Sequence, residues 1–321
     1  MGDRRERRSS GDESPPRDIV MFKREPDVHV EQSEALRNDD GHKIVCKSWR
    51  SEAYTEPRAL VFLAHGFGEH CHGDAYHALA HDLAGVGCYV FTHDHGKSRV
   101  ELGHGKSEGP RATIKSFDTY VDDILTHLQV LRTKFYGKPI YLIGHSMGGL
   151  LCVLTVLRKP QDFAGMVLLG PLLGIDKEEA TLFKRTMAGL LGSLIPSFPL
   201  GKLALEKVCR DPAEVKRLAE DPLHYQGSVT AAWGAAALSA LEKMQANVEA
   251  VELPFLIEHG SADKLCDPAD SQQFFEKASS MDKTIKVING AYHSLLTEPD
   301  GVKGEVRKDV VDWISARLPK K

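Results

Sequence analysis

A serine that lies between two glycines is the clearest chemical feature of the sequence. An apolar, β-branched run ends at Gly144, Ser146 follows, and helix-forming apolar residues continue after Gly148. This pattern predicts a strand, a sharp turn and a helix, in which the glycines leave room for the turn. A serine at such a turn is a candidate nucleophile, and the helix N-terminus offers the Met147 N–H to a developing oxyanion.

A nucleophilic serine needs a base to take its proton and a third group to orient that base. Asp263 and His293 each follow a predicted strand, and both come after the serine in the chain. In this order they are the predicted acid and base of a catalytic triad. Asp267 is the alternative acid, although its place before Pro268 suits a helix N-cap.

A second oxyanion donor is expected from the loop after an early strand. The apolar run at 59–64 ends in His65-Gly66-Phe67-Gly68, an H-G-x-G pattern. Its glycines let backbone approach a substrate closely, and the candidate donor is the Phe67 N–H. The alternative is a glycine-rich turn without a chemical role.

Strand and helix patterns alternate along most of the chain, which predicts an α/β fold with a doubly wound, mostly parallel sheet flanked by helices. The arrangement of the candidate triad on it predicts the α/β-hydrolase fold with an inserted helical cap. A polar hairpin is expected at 38–41. Predicted strands lie at 43–49, 59–64, 88–92, 165–169, 254–259 and 284–288, and predicted helices at 75–85, 114–134, 270–279 and 302–316.

The patterns also divide the chain. Residues 1–27 are polar and charged and are expected to be disordered, because they cannot bury enough apolar surface. The hydrolase core is predicted at 28–170 and 254–321, and the helical cap or lid at 171–253. An apolar stripe at 180–195 includes Leu190 and Leu194. It is either a face packed on the body or a lid edge that enters a lipid interface.

Composition excludes several classes of protein. The 321 residues carry a formal net charge of −4 and 42% hydrophobic residues, with basic and acidic residues interleaved. Nucleic-acid binding is therefore not expected. Six scattered cysteines and no apolar leader favour free thiols in a reducing, cytoplasmic setting. No apolar run approaches the length of a membrane-spanning helix.

Metal and nucleotide sites are not expected either. The pairs His70-x-His72 and His93-x-His95 lack completing ligands at the usual spacing. Gly-Lys-Ser occurs at 96–98 and 105–107, but neither copy has the preceding glycine of a phosphate-binding loop. No cofactor is predicted.

With these residues in view, the chain resembles the monoacylglycerol lipase branch of the serine α/β-hydrolases. The resemblance runs over 28–317. It rests on the segments 65–70, 93–95, 103–109, 144–149, 260–267 and 291–293. Phe67 departs from the small residue usual in the H-G-x-G turn, and Leu296 stands where a second histidine often follows the catalytic one.

The resemblance implies hydrolysis of a monoacylglycerol to glycerol and a fatty acid through an acyl-enzyme on Ser146. It also implies a cap that faces the membrane, hence a peripherally membrane-associated cytoplasmic protein, and a thiol beside the acid, matched by Cys266. Candidate substrate-binding residues are Glu69, Leu190, Leu194 and Cys266. A lysophospholipid or another lipid ester is the alternative substrate. A non-catalytic binding protein on the same scaffold is disfavoured by the complete set of triad residues.

Overall fold

The fold is described from a computed structural model. The described residues are 28–31, 36–38, 41, 43–95, 106, 114, 116–174 and 195–320. The predicted disordered tail at 1–27 lies outside them, and so do Leu190 and Leu194 of the apolar stripe.

An eight-stranded sheet forms the centre of the protein. In chain order its strands are β1 (Val28–Glu31), β4 (Cys46–Ser51), β5 (Ala59–Ala64), β6 (Cys88–His93), β7 (Ile140–His145), β8 (Gly165–Leu169), β11 (Phe255–Gly260) and β12 (Lys283–Ile288). Their spatial order is β1-β4-β6-β5-β7-β8-β11-β12. The pairs β1–β4 and β4–β6 are antiparallel, and every pair from β6 to β12 is parallel.

Helices cover both faces of the sheet, as a parallel sheet requires. They are α1 (Asp74–Gly85), α2 (Asp118–Lys134), α3 (Met147–Arg158), α6 (Pro268–Lys277) and α7 (Val302–Ser315). Residues of α2 and α3 build the core on one face, and residues of α1 and α7 build it on the other. The α/β-hydrolase fold predicted from the sequence is confirmed at this level.

Two predicted elements differ from the structure, one at its start and one by a break within it. The helix expected over 114–134 begins at Asp118, and Ile114 and Phe117 are buried residues ahead of it. The strand expected over 43–49 is split into β3 (Lys43–Ile44) and β4. The first piece pairs with β2 (Leu36–Arg37) in the predicted hairpin, where the Gly41 N–H donates to the Asn38 carbonyl at 2.8 Å.

The described part of 171–253 contains a small ribbon and two helices. Strands β9 (Pro199–Lys202) and β10 (Ser228–Thr230) pair with each other as a separate antiparallel sheet. Helix α4 (Pro212–Glu220) lies between these two strands in the chain, and helix α5 (Ala231–Gln245) directly follows β10. The alanines of α5 pack on α3 and join its core cluster, so this helix is bound closely to the body. The division into core and cap stays a prediction.

Two sequence-wide features bear on the environment of the protein. All six cysteines are buried free thiols. Among the residues that the structure describes, no helix is long and apolar enough to cross a membrane.

Candidate active site

Ser146 lies at the tip of the turn between β7 and α3. Its backbone has φ 55° and ψ −121°, a conformation that L-residues rarely adopt. A Cβ at Gly144 would lie 2.3 Å from the Gly148 carbonyl oxygen, and a Cβ at Gly148 would lie 2.1 Å from that of Ala64. Both glycines are therefore required by packing, as the sequence predicted.

The H-G-x-G turn lies directly against the serine. A Cβ on Gly66 would lie 3.1 Å from Ser146 Cβ, so the backbone before Phe67 passes within contact of the nucleophile. His65 anchors this turn, because its Nε2 accepts the His95 N–H at 3.1 Å. Phe67 follows Gly66 in this turn and Met147 is the first residue of α3, so both predicted oxyanion donors lie in the elements expected for them, and their role stays a prediction.

The Glu69 side chain binds the backbone of the H-G-x-G turn. Its Oε2 accepts bonds from the Gly66 N–H at 2.6 Å and the Tyr76 hydroxyl at 2.5 Å, and it contacts His145 Nδ1 at 3.1 Å. Burial alone would raise the pKa of Glu69, but the charge and hydrogen bond of His145 hold that pKa well below its usual range. Burial opposes protonation of His145, yet Glu69 raises the pKa of this imidazole. Glu69 is a predicted substrate-binding residue, and its Oε2 is already bonded to these internal partners.

Asp263 is buried and receives four hydrogen-bond contacts. Its Oδ2 contacts His293 Nδ1 at 2.7 Å and His259 Nε2 at 3.0 Å. Its Oδ1 accepts the N–H groups of Leu265 at 2.8 Å and Cys266 at 3.0 Å. Burial would raise the pKa of Asp263, but its bonds from the two histidines lower it strongly. Asp263 is a carboxylate at neutral pH.

His293 is held as a neutral base. It is 4% exposed, and burial lowers the pKa of its imidazole although Asp263 acts in the opposite direction. Its Nδ1 faces Asp263, which leaves Nε2 as the nitrogen available for proton transfer. The alternative acid, Asp267, instead caps α6 by accepting the Ala269 N–H at 2.8 Å.

Cys266 lies between the acid loop and the serine. Burial raises the pKa of its thiol well above the usual range, and the charge of Asp263 acts in the same direction, while the nearby Ser146 hydroxyl lowers it. A buried protonated thiol is a poor nucleophile, so we assign Cys266 no nucleophilic role beside Ser146.

Three residues of this network were missed by sequence analysis. His259 orients Asp263, and Tyr76 and His145 bind Glu69. His145 occupies the variable position directly before the serine, and His259 lies four residues before the acid. Their types were visible in the sequence, but the contact of His145 with Glu69 depends on how distant strands pair, and the contacts of His259 and Tyr76 depend on the path of the loop between them and their partners.

A cleft opens beside Glu69 and His145 and is closed on its other side by the segment after β9. Several charged residues of its lining are paired with each other. Arg217 binds Glu214 through two bonds, and His70 Nε2 contacts Asp221 Oδ2 at 2.8 Å. The lining also includes His224, Ser294 and Leu296.

Aromatic rings surround Phe67 on the other side of the turn. The Phe67 ring meets Trp233 at 4.7 Å and Tyr225 at 5.8 Å between centroids, both edge to face. The Tyr225 N–H also donates to the Gly68 carbonyl at 2.8 Å. The segment after β9 is thus joined to the turn by both packing and backbone.

The geometry described so far, a nucleophile elbow with an acid and a histidine at the ends of later strands, defines a serine α/β-hydrolase. Comparison with known proteins agrees. A family model described as serine aminopeptidase, S33, matches residues 55–300. The chain belongs to this family.

Several of the similar proteins are lipases of monoglycerides. Monoglyceride lipases of Mus musculus and Homo sapiens are each 37% identical, over 88% of this chain and 90% of theirs. A solved monoacylglycerol lipase of Paleococcus ferrophilus has a TM-score of 0.71 at 28% identity, covering 85% of this chain and 99% of its own. A soluble variant of the Saccharomyces cerevisiae monoglyceride lipase, bound to a substrate analogue, has a TM-score of 0.74 at 25% identity, covering 96% and 100%. The resemblance inferred from the motifs is confirmed.

Proposed function

We propose that this protein is a serine hydrolase that cleaves monoacylglycerol to glycerol and a free fatty acid through an acyl-enzyme on Ser146. The observation that carries the proposal is the placement of Ser146 at the elbow against the H-G-x-G turn, together with the contact of Asp263 with His293 at 2.7 Å. The similarity to monoglyceride lipases over most of the chain supports the choice of substrate.

The reaction proceeds in two halves. Ser146 Oγ attacks the ester carbonyl while His293 Nε2 takes its proton, and the histidine then gives this proton to the departing glycerol oxygen. A water molecule attacks the acyl-enzyme in the same way and releases the fatty acid. Asp263 keeps His293 in the required tautomer and stabilises the imidazolium that forms. The N–H groups of Phe67 and Met147 bind the oxyanion in both halves, and one such donor is typically worth about 10²–10³ in rate.

Glu69 acts behind this machinery as a positioning residue. Its bond from the Gly66 N–H fixes the backbone next to the Phe67 donor, and its pairing with His145 fixes the residue before Ser146. Oxyanion donors act best when they are already in position before the reaction. By fixing the turn, Glu69 reduces the movement of the Phe67 backbone that is needed to reach the transition state.

We place the substrate head group in the cleft beside Glu69 and His145, because His145 directly precedes Ser146, and the charges of this cleft favour a neutral head group over a phosphate. Arg217, the guanidinium among the lining residues, is already bound by Glu214, and His145 is matched by Glu69. His70 is likewise paired with Asp221. A phosphate would have to break one of these pairs, whereas glycerol hydroxyls add hydrogen bonds without a charge to neutralise.

The test compares hydrolysis of a monoacylglycerol with that of lysophosphatidylcholine. We expect a higher kcat/KM on the monoacylglycerol and loss of both activities in Ser146→Ala. A fluorophosphonate probe should label wild type and Ser261→Ala, an exposed serine of the acid loop, but not Ser146→Ala. Preference for the phospholipid would overturn the substrate, and labelling of Ser146→Ala would overturn the nucleophile.

We further propose that the segment predicted as the cap docks on a lipid surface. Large apolar side chains are exposed at its described edge, with Ile195 at 46%, Phe198 at 39% and Leu203 at 42%. They continue the apolar stripe at 180–195, and a helix or loop of this kind binds an interface by burying apolar area.

Vesicle partitioning tests the docking surface. Leu190→Glu and Leu194→Glu should lower binding to phosphatidylcholine vesicles without loss of activity on a soluble short-chain ester. Tyr136→Glu is the control. Tyr136 is 93% exposed, but it precedes β7, whereas Ser146 follows the other end of that strand. Unchanged partitioning of both leucine variants would refute the proposal.

A further inference from the structure

Cys71, His72 and Asp94 lie together at the far end of the H-G-x-G turn, outside the machinery described above. One ligand atom from each side chain lies within 4.8 Å of both others. Cys71 and His72 close the turn that begins at His65, and Asp94 directly follows β6. A thiol, an imidazole and a carboxylate form a mixed donor set of the kind that borderline divalent cations bind.

The backbone holds the carboxylate in place. The Cys71 N–H donates to Asp94 Oδ1 and the Lys106 N–H donates to Asp94 Oδ2, both at 2.7 Å. A carboxylate oxygen carries more than one lone pair, so it can ligate a metal while it also accepts a hydrogen bond.

The backbone of His72 is fixed, while its Nε2 is not used by the residues that the structure describes. The backbone N–H of His72 donates to His70 Nδ1 at 3.1 Å, and His70 is in turn held by Asp221. His72 Nε2 is buried and has no hydrogen-bond partner among the described residues. Burial lowers the pKa of His72, and Lys106 and Lys47 lower it further, so the ring is neutral at pH 7, as a ligand must be.

The thiol would be activated only by a cation. Cys71 is 1% exposed, and burial and the Asp94 charge raise its pKa above the usual range. A bound Zn²⁺ would replace the thiol proton by a sulfur–zinc bond and release that proton to solvent, and the thiolate and carboxylate together would balance its two charges. Lys47, the competing cation, is partly exposed and can turn toward solvent.

We propose that Cys71 Sγ, His72 Nε2 and an oxygen of Asp94 bind one Zn²⁺ ion, with water in the fourth position. Three protein ligands with one open position is an arrangement that zinc commonly adopts. Bound zinc would tie the end of the H-G-x-G turn to the end of β6. Mg²⁺ and Ca²⁺ prefer several oxygen ligands, so a site with one carboxylate and a thiol suits them poorly.

The test uses the full chain after treatment with a chelator. Calorimetric titration with Zn²⁺ in two buffers of different ionisation enthalpy should show one ion bound and one proton released per chain. Co²⁺ should give a thiolate-to-metal charge-transfer band. Cys71→Ser should lose this band and weaken Zn²⁺ binding on the order of 10–100-fold. Cys88→Ser, at the opposite end of β6 and equally buried, should behave as wild type.

His72→Ala keeps the test decisive where Cys71→Ser fails to fold, because His72 is partly exposed and its Nε2 bonds to no group in the part of the chain that the structure describes. It should fold normally by circular dichroism and bind Zn²⁺ more weakly. Absence of Zn²⁺ uptake by wild type at micromolar concentrations, a charge-transfer band that survives Cys71→Ser, or undiminished binding by His72→Ala would each overturn the site. None of these readouts depends on ester hydrolysis.

Discussion

Asp263 is shared between two imidazoles through one oxygen. His293 Nδ1 and His259 Nε2 both contact Oδ2, and His259 Nε2 also reaches the Cys266 carbonyl at 3.1 Å. The other nitrogen of His259 contacts the Ser271 hydroxyl at 2.8 Å. Because Nε2 faces two acceptors, it must be the protonated nitrogen, so His259 donates to Asp263 and draws negative charge away from His293.

Replacing His259 should therefore change the pH dependence of hydrolysis. In His259→Leu, Asp263 loses a donor and its charge acts more fully on His293, which raises the pKa of that base. We expect the acidic limb of the kcat/KM profile to move to higher pH and kcat to fall on the order of tenfold. His259→Gln keeps a donor and should restore the wild-type limb. A limb that stays in place in His259→Leu would limit His259 to a structural role.

The junction between β5, β7 and α3 depends on the absence of side chains. Gly148, in the first turn of α3, faces the Ala64 carbonyl at the end of β5, and Gly144 faces Gly148 across the turn. The register Ala64–Gly144 brings these elements together at the edge of the sheet where Ser146 lies. Close backbone approach is therefore what places the nucleophile against the H-G-x-G turn.

Gly148→Ala tests this approach. Its Cβ would lie 2.1 Å from a backbone oxygen that cannot move without the strand, so we expect a loss of about 3 kcal/mol in the free energy of unfolding and a large loss of activity. Gly304→Ala is the matched control, because it lies in α7 and a Cβ there meets no atom within 4 Å. It should gain up to about 1 kcal/mol from helix propensity. Equal stability of the two variants in urea unfolding would contradict the argument.

Two buried groups on different faces of the sheet give the folded protein opposite responses to pH. Burial lowers the pKa of His127, on α2, to about 4, and its Nδ1 contacts that of His93 at 3.1 Å. Burial and then the neighbouring Asp309 raise the pKa of Glu258, on β11, to about 8. Neither group has a catalytic role in the proposed mechanism.

The signs follow from the unfolded values. An unfolded histidine takes up a proton near 6.5 but His127 only near 4, so its contribution to stability is lost as pH falls from 6.5 to 4. An unfolded glutamate loses its proton near 4.5 but Glu258 only near 8, so its contribution is lost as pH rises from 4.5 to 8. Each slope is at most about 1.4 kcal/mol per pH unit.

Urea unfolding over this range separates the two groups. Between about pH 4.5 and 6.5 the two slopes oppose each other, so Glu258→Gln should flatten the fall in unfolding free energy between pH 6.5 and 8. His127→Gln should leave that fall unchanged and make the unfolding free energy rise as pH falls from 6.5 to 4.5. Each variant serves as the control for the other. The assignment fails if Glu258→Gln runs parallel to wild type between neutral pH and about pH 8.

The sequence by itself determined the local parts of this protein. Apolar runs predicted the inner strands, and Gly144, Ser146 and Gly148 predicted the elbow, because strand burial and turn sterics act between neighbours in the chain. The order of Ser146, Asp263 and His293 pointed to the hydrolase class, and the structure places Asp263 rather than Asp267 on His293.

Only the tertiary structure decided what supports and surrounds these residues. The contacts of His259 with Asp263, of Glu69 with His145, and of Cys71 and His72 with Asp94 join separate strand ends or loops. The start of α2 at Asp118 was hidden, because buried residues outside a helix show the same apolar spacing as those inside it. The contact of Glu69 with His145 and that of Cys71 with Asp94 depend on the register of strands far apart in sequence, and a one-residue shift of register would undo them. The contact of His259 with Asp263 spans four residues and depends on the path of the loop after β11.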